Sequence, residues 1–253
     1  MLGIVLEGGG AKGAYQLGVW KYLKEREIHF DGVVGASIGA CNGAALIMDD
    51  YEMAERVWLN MPDMYKNNDT TLDLSNETVD FNDMASLEKN FIEKDGLDAS
   101  QNLQLLKKVI DEKKIRESGK AFGITTYNLT DEKLEELFIE EIPEGRLYRY
   151  IMASSFLIVF KAFEIEGKYY LDGGYFNNLP INMLVEKGFK TIISVRLRPE
   201  EFDYSAYKGV NIIEIKPEES LGGTLQFESS LIKKNIQLGY LDAKKALKGK
   251  VLI

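Results

Sequence analysis

Short apolar runs alternate with longer segments of helical periodicity along most of this chain. The run Leu2–Leu6 ends at three consecutive glycines, and Val33-Val34 ends at Gly35. Both runs are therefore predicted to be strands that stop at a turn. Residues 12–27 place apolar side chains near helical spacing, which predicts a first helix between the two strands.

The same alternation continues towards the C-terminus. Further strands are predicted at residues 122–126, 137–139, 163–165, 169–171, 192–195 and 210–215. Further helices are predicted at residues 38–48, 101–117, 181–187 and 226–248, the last of them packing through Phe227, Leu231, Leu238 and Leu241. This order is typical of a three-layer α/β fold with a largely parallel central sheet.

Residues 60–98 break the pattern, because they are rich in Asn, Asp and Thr and contain Pro62. A surface excursion with short helices and a lid over a substrate groove explain this composition equally well. In either case we expect residues 1–253 to form a single domain.

Composition narrows the classes of partner. The net charge of −9 argues against nucleic acid and gives no attraction to anionic lipid, so any contact with a membrane surface is expected to be transient. Four lysines near the C-terminus are read as the solvated end of a helix. The chain has no apolar run long enough for a membrane span, and a lone Cys41 is compatible with a reducing, cytoplasmic compartment.

A candidate nucleophile lies where the second strand turns into a helix. Ser37 is flanked by Gly35 and Gly39 in a G-x-S-x-G pattern, which lets a strand bend sharply and expose the serine oxygen. The start of the following helix favours negative charge near that oxygen. Chance occurrence in a chain of 23 glycines is the competing interpretation.

The chain contains one histidine, His29, which precedes Ser37; this excludes the triad of an α/β-hydrolase, in which the histidine follows both the serine and the acid. Its polar surroundings indicate a solvated loop residue. The base must then be another group, and Asp172 is the candidate, since it ends a predicted strand and precedes Gly173 and Gly174. An ordinary turn aspartate would show the same local pattern.

A glycine-rich loop follows the first strand, with Gly8, Gly9, Gly10, Lys12 and Gly13. Its backbone N–H groups are suited to a tetrahedral oxyanion. The same residues fit a dinucleotide fingerprint, but the second strand is not followed by the acidic residue that would bind a ribose. We expect no cofactor and, in the absence of a Cys/His cluster or carboxylate pair with metal spacing, no metal.

Taken in order, three of these segments resemble the patatin-like phospholipases, whose pattern is a glycine-rich oxyanion loop, a G-x-S-x-G serine and a D-G-[GA] aspartate. The matching residues are 8–13, 35–39 and 172–174, and the neighbouring residues 128–130, 153–154, 175–180 and 239–243 agree as well. The resemblance extends from Leu2 to about Lys248. One departure is the stretch 156–160, which lacks a proline that many bacterial members have.

The resemblance implies that Ser37 is the nucleophile and that Asp172 activates it directly. It also implies that Gly9 and Gly10 donate to the oxyanion, with Lys12 nearby. The expected activity is hydrolysis of carboxylic esters of lipids through an acyl-enzyme, with a phospholipid or lysophospholipid as substrate. The alternatives are a general short-chain carboxylesterase and a catalytically silent regulatory or scaffold protein.

Overall fold

A computed structural model describes residues 1–65, 92–93, 96–162 and 164–250. The strands are β1 (Leu2–Leu6), β2 (Gly32–Ala36), β3 (Ala121–Asn128), β4 (Lys133–Phe138), β5 (Glu164–Ile165), β6 (Lys168–Asp172), β7 (Thr191–Val195) and β8 (Asn211–Ile215). The helices are α1 (Ala14–Glu25), α2 (Ile38–Met48), α3 (Tyr51–Tyr65), α4 (Ser100–Val109), α5 (Glu112–Glu117), α6 (Leu147–Ser154), α7 (Ile181–Glu186) and α8 (Ser229–Ala246). Short 3-10 turns cover Gly10–Gly13 and Gly173–Tyr175.

The central sheet is largely parallel. Its parallel part has the strand order β3-β2-β1-β7-β8, so β1 lies in the middle. The strands β4 and β6 pair antiparallel with β3, and β5 pairs antiparallel with β6. This arrangement confirms the predicted α/β fold.

Consecutive residues of the middle strands pack in two separate hydrophobic cores, one on each face of the sheet. Ile4 and Val33 pack in the larger core with side chains of α1, α2, α3 and α8, whereas Val5 and Val34 pack in the smaller core with α7. Both faces of the middle of the sheet are therefore buried, which is why β1 and β2 are continuously apolar and do not alternate with polar residues. The two cores give the three layers.

Two features of the predicted elements differ from the structure, and a third is not described by it. The predicted helix at 101–117 is two helices, because Ile110 is extended and the Asp111 side chain accepts from the Lys114 N–H at 3.0 Å to begin α5. Pro62 lies inside α3 and does not end it. Most of the predicted lid at residues 60–98 lies outside the described residues, so the lid stays a prediction.

The predicted packing stripe of the last helix is correct only in part. Phe227 and Leu238 pack in or against the larger core, as expected. Phe227 precedes α8, and Leu241 is 49% exposed. The buried face consists instead of Ile232, Asn235, Gly239 and Ala243. Small residues on this face allow α8 to approach α1 more closely than a row of leucines would.

The contact between α1 and α8 leaves no room for a side chain at two glycines. A Cβ at Gly239 would overlap the backbone oxygen of Tyr15, and a Cβ at Gly18 would overlap the backbone oxygen of Ile236. Beside this crossing, the buried Tyr15 hydroxyl donates to Asp242 at 2.8 Å. No helix in the described ranges combines the length and hydropathy that a bilayer crossing requires.

We expect Gly239→Ala to destabilise the protein by about 1–3 kcal/mol, because the new methyl group would push α8 away from α1. Helix propensity alone would favour alanine by about 1 kcal/mol, so the sign of the change shows which effect dominates. Denaturant unfolding measures it. Gly223→Ala is the control, since a Cβ there meets only ordinary van der Waals contacts. Greater stability of Gly239→Ala would contradict the close packing.

Candidate active site

Ser37 occupies a strained turn between β2 and α2. Its backbone has φ 55° and ψ −126°, a conformation that a residue with a side chain rarely adopts and that costs about 1–3 kcal/mol. The two flanking glycines are required by close approach: a Cβ at Gly35 would overlap the backbone of Gly39, and a Cβ at Gly39 would overlap the Leu6 oxygen. The turn has the geometry of a nucleophile elbow.

A buried serine from α6 holds this turn in place. The Ser37 N–H donates to the Ser154 hydroxyl oxygen at 2.9 Å, and Ser154 is fully buried. Without this bond the Ser37 N–H would be a buried donor with no partner, which would cost about 1–3 kcal/mol of stability. The sequence predicted no role for Ser154, although it lies in a segment that the family resemblance includes.

The register of β3 brings Ser37 and Asp172 together. Thr125 pairs with Ala36 of β2, and the next residue, Thr126, pairs with Asp172 of β6. Because β4 covers the opposite edge of β3 along both stretches, β2 and β6 share one edge and meet end to end. Their C-terminal ends face each other, so Asp172 lies beside the serine that follows Ala36.

Asp172 is buried and contacts the nucleophile candidate directly. Burial raises the pKa of its carboxyl to about 7, while hydrogen bonds from the Ser37 side chain and from the Gly174 N–H oppose that rise. The Gly174 bond is 2.7 Å long, and the Asp172 N–H donates to the Phe156 oxygen at 2.9 Å. A carboxyl group with a pKa near 7 can accept and release a proton at neutral pH, which suits a general base.

The backbone N–H groups of the glycine-rich loop differ in whether they have a hydrogen-bond partner. The Gly8 N–H donates to the Asn178 oxygen, the Ala11 N–H to the Thr224 oxygen and the Lys12 N–H to the Gly9 oxygen. Within the described part of the chain, the N–H groups of Gly9 and Gly10 have no such partner. Gly10 has a φ of 57°, and a Cβ there would overlap the Thr224 oxygen.

Asn178 ties the glycine loop to the aspartate loop. Its side-chain amide donates to the Gly8 oxygen at 3.1 Å and to the Glu7 carboxylate at 3.5 Å. A Cβ at either Gly8 or Gly174 would overlap the Asn178 side-chain oxygen. Two of the motif glycines are therefore required by the presence of this one amide, which the sequence did not single out.

The remaining motif residues take packing positions. A Cβ at Gly13 would run into the Ile38 side chain, and one at Gly173 would overlap the backbone of Thr125. Lys12 does not line the cavities that contain Ser37. Burial lowers the pKa of Lys12, and nearby Arg198 lowers it further, against the opposing effects of two glutamates.

Ser37 lies where an apolar cavity meets a polar mouth. The cavity encloses about 960 Å³, a volume that includes the part open to solvent. Its walls come from α2, α3, α4, the end of α6 with the segment after it, and the segment before α8. They include Cys41, Met53, Val57, Trp58, Leu106, Leu157 and Phe227. The mouth is lined by the loop Gly8–Gly10 together with Ser37, Leu157, Asp172, Gly174, Tyr175, Asn178, Arg198 and Thr224.

His29 and Cys41 take no part in the contact between Ser37 and Asp172. His29 is exposed and precedes the N-terminal end of β2, whereas Ser37 follows the C-terminal end. Cys41 lines the apolar cavity one turn after Ser37, and burial raises the pKa of its thiol to about 11. Among the described residues, no group of metal-binding side chains has the geometry to hold an ion.

Comparisons with known proteins agree on one family. The family model of the patatin-like phospholipases matches residues 4–185. The lysophospholipase NTE1 of Mycosarcoma maydis is 28% identical over 200 residues, which cover 77% of this chain and 9% of that protein. Human patatin-like phospholipase domain-containing protein 6 is 27% identical over 210 residues, which cover 81% of this chain and 14% of that protein. This chain thus spans only a small part of these relatives.

Solved structures share the fold at low sequence identity. VipD from Legionella pneumophila superposes with a TM-score of 0.56 at 16% identity, covering 97% of this chain and 66% of that chain. The ExoU–SpcU complex of Pseudomonas aeruginosa gives a TM-score of 0.50 at 13% identity, covering 98% of this chain and 51% of that chain. The likeness supports the three-layer fold, including the strands that follow residue 185.

We expect Asp172→Asn to stabilise the protein increasingly as the pH rises. The unfolded chain loses the Asp172 proton near pH 4, whereas the folded protein holds it to about pH 7. Between these values the folded state binds the extra proton, so wild-type stability falls with rising pH, by about 1.4 kcal/mol per unit. Asparagine has no such proton to lose.

Denaturant unfolding at pH 5 and pH 8 checks this effect, and the advantage of Asp172→Asn should grow by about 3 kcal/mol between them. The control is Asp203→Asn, because hydrogen bonds from Ser205 lower the pKa of that exposed carboxyl and place its titration below the tested range. An advantage that does not change with pH would mean that the pKa of Asp172 is not raised.

Proposed function

The chain belongs to the family of patatin-like phospholipases, and on that premise we propose that it is a serine hydrolase that cleaves carboxylic ester bonds of lipids with Ser37 and Asp172. The observation that carries the proposal is that Ser37 and the buried Asp172 carboxyl group lie together in a polar mouth, at its junction with an apolar cavity. The lysophospholipase relatives make a phospholipid or lysophospholipid the favoured substrate.

Acylation begins with the proton of the serine. Asp172 accepts that proton as the Ser37 oxygen bonds to the ester carbonyl carbon, and negative charge moves onto the carbonyl oxygen. The N–H groups of Gly9 and Gly10 donate to this oxyanion, a type of stabilisation worth about 3–4 kcal/mol per donor in other hydrolases. The proton then passes from Asp172 to the leaving alcohol as the ester bond breaks.

Deacylation repeats these steps with water in place of the serine. Asp172 removes a proton from water, the resulting hydroxide attacks the acyl-enzyme, and the same two N–H groups hold the second oxyanion. Ser37 recovers its proton from Asp172, and a fatty acid leaves. Lys12 acts on this chemistry through its positive charge beside the loop, because its side chain is not among those that line the mouth.

The apolar cavity favours a lipid over a short-chain ester. Its wall consists almost wholly of aliphatic, aromatic and methionine side chains, and it begins at Ser37 itself. An acyl chain placed there would remove apolar surface from water, at about 0.8 kcal/mol per buried methylene group. Activity that does not rise with chain length would favour the short-chain carboxylesterase instead. Failure to react with a fluorophosphonate probe would favour the catalytically silent scaffold.

We further propose that residues 1–253 act as one domain. The family model ends at residue 185, but β7 pairs with β1 in the middle of the sheet, and the Thr224 oxygen anchors the glycine loop. The lid over the groove, the cytoplasmic location and a transient contact with the membrane surface stay predictions.

We expect Ser37→Ala and Asp172→Asn each to abolish nearly all ester hydrolysis. Loss of a general base typically costs about 10²–10⁴ in rate, and loss of a nucleophile more. Because the two groups act as a unit, the double variant should be about as slow as the slower single variant. Turnover of a long-chain 4-nitrophenyl ester measures this, with Ser118→Ala and Asp203→Asn as matched controls far from the mouth. Strong residual turnover in Asp172→Asn would identify another base.

The pH dependence should follow Asp172 and not the histidine. Asp172 must be ionised to accept a proton, so kcat/KM should rise with pH through about 7 and level off above it. His29→Ala should keep the same limb and stay within about threefold of the wild type, since the loss of a base would cost about 10²–10⁴. A hundredfold loss in folded His29→Ala protein would refute the dyad.

A further inference from the structure

Arg198 is a cation at the mouth of the site whose hydrogen-bonding capacity is unused. It follows β7 and lines the mouth together with Ser37 and Asp172, and its side chain is 53% exposed. Within the residues that the structure describes, its guanidinium makes no hydrogen bond, and the nearest carboxylate oxygen, on Glu7, is 4.0 Å from its Nε. Its five N–H donors are therefore available to a ligand.

Glu7 does not neutralise Arg198, because its carboxylate is engaged elsewhere. One oxygen accepts from the Leu197 N–H at 2.5 Å and from the buried Arg196 Nε at 3.3 Å. The other accepts from the Asn178 amide at 3.5 Å. These bonds fix the end of β1 against the end of β7, and Arg196 balances the charge of Glu7 inside the protein.

A second positive charge lies next to Arg198. Lys12 packs along the glycine loop, with its Cδ close to where a Cβ of Gly9 would lie. Burial lowers the pKa of Lys12 and repulsion from Arg198 lowers it further, while Glu7 and Glu200 act in the opposite direction. Two adjacent cations beside the oxyanion loop, in a protein of net charge −9, form a local site that an anion would stabilise.

We propose that Arg198 binds the phosphate of a phospholipid headgroup and makes the enzyme selective for phosphate-bearing glycerol esters over neutral acylglycerols. The inference rests on the proposed function. In such a lipid the phosphate is joined to the scissile ester through glycerol, so an acyl chain in the apolar cavity leaves the phosphate at the mouth. The planar guanidinium presents two parallel N–H groups that match two phosphate oxygens.

The test compares two esters that share the acyl chain and the glycerol and differ in the headgroup: 1-palmitoyl lysophosphatidylcholine and 1-palmitoylglycerol. Arg198→Gln should lower kcat/KM for the phospholipid about 10- to 100-fold more than for the acylglycerol, mainly through a higher KM. The selectivity of Arg198→Lys should lie between those of the wild type and Arg198→Gln, because lysine keeps the positive charge but lacks the two parallel N–H groups of the guanidinium. Palmitoyl lysophosphatidic acid, which lacks choline, should show the same selectivity loss.

The control variant is Arg146→Gln, which removes an arginine paired with Glu166 at 3.0 Å on the surface. It should leave the ratio of the two kcat/KM values unchanged. An equal loss for both esters in Arg198→Gln, or no loss for either, would overturn the inference while leaving the proposed function intact. A wild-type protein that hydrolyses neither ester would overturn both.

Discussion

The site depends on one edge of β3, along which two strands of opposite direction meet. Since Ala36 pairs with Thr125 and Asp172 pairs with Thr126, the separation of the proposed nucleophile and base is fixed by the spacing of adjacent residues on a single strand. Neither side chain has to be positioned by a long or adaptable loop. A slip of one residue between β6 and β3 would turn Asp172 to the other face of the sheet and separate the pair.

The same register buries the carboxyl group of Asp172, although a carboxylate is more stable in water than in a protein interior. Asp172 is only 3% exposed, and its hydrogen bonds do not fully compensate for the loss of hydration, so its pKa lies near 7. Ser37 adds backbone strain at the neighbouring position. Local features that lower the stability of the fold thus coincide with the residues that the proposed chemistry requires, as is common in active sites.

Sequence patterns predicted the features that depend on neighbouring residues in the chain. They missed the features that depend on contacts between residues far apart in sequence. The Ser37 elbow and the alternation of strands and helices follow from short-range preferences, so they could be read from the chain. Ser154 and Asn178 act by bonds to residues far away in sequence, and no local pattern marks a residue for such a role. The packing face of α8 was predicted only in part, because close helix contact selects Gly239, whereas apolar periodicity points to larger side chains.

The residues that anchor the glycine loop lie far after it in the sequence, so the order of synthesis determines when the site can form. Ser37 and the glycine loop are synthesised before Asp172, Asn178 and Thr224, which complete and hold their surroundings. Both edges of the middle strand β1 can be paired only after β7 has been synthesised. A nascent chain therefore carries Ser37 before the residues that complete its surroundings, so the proposed catalytic pair can form only after β6 has been synthesised and has paired with β3.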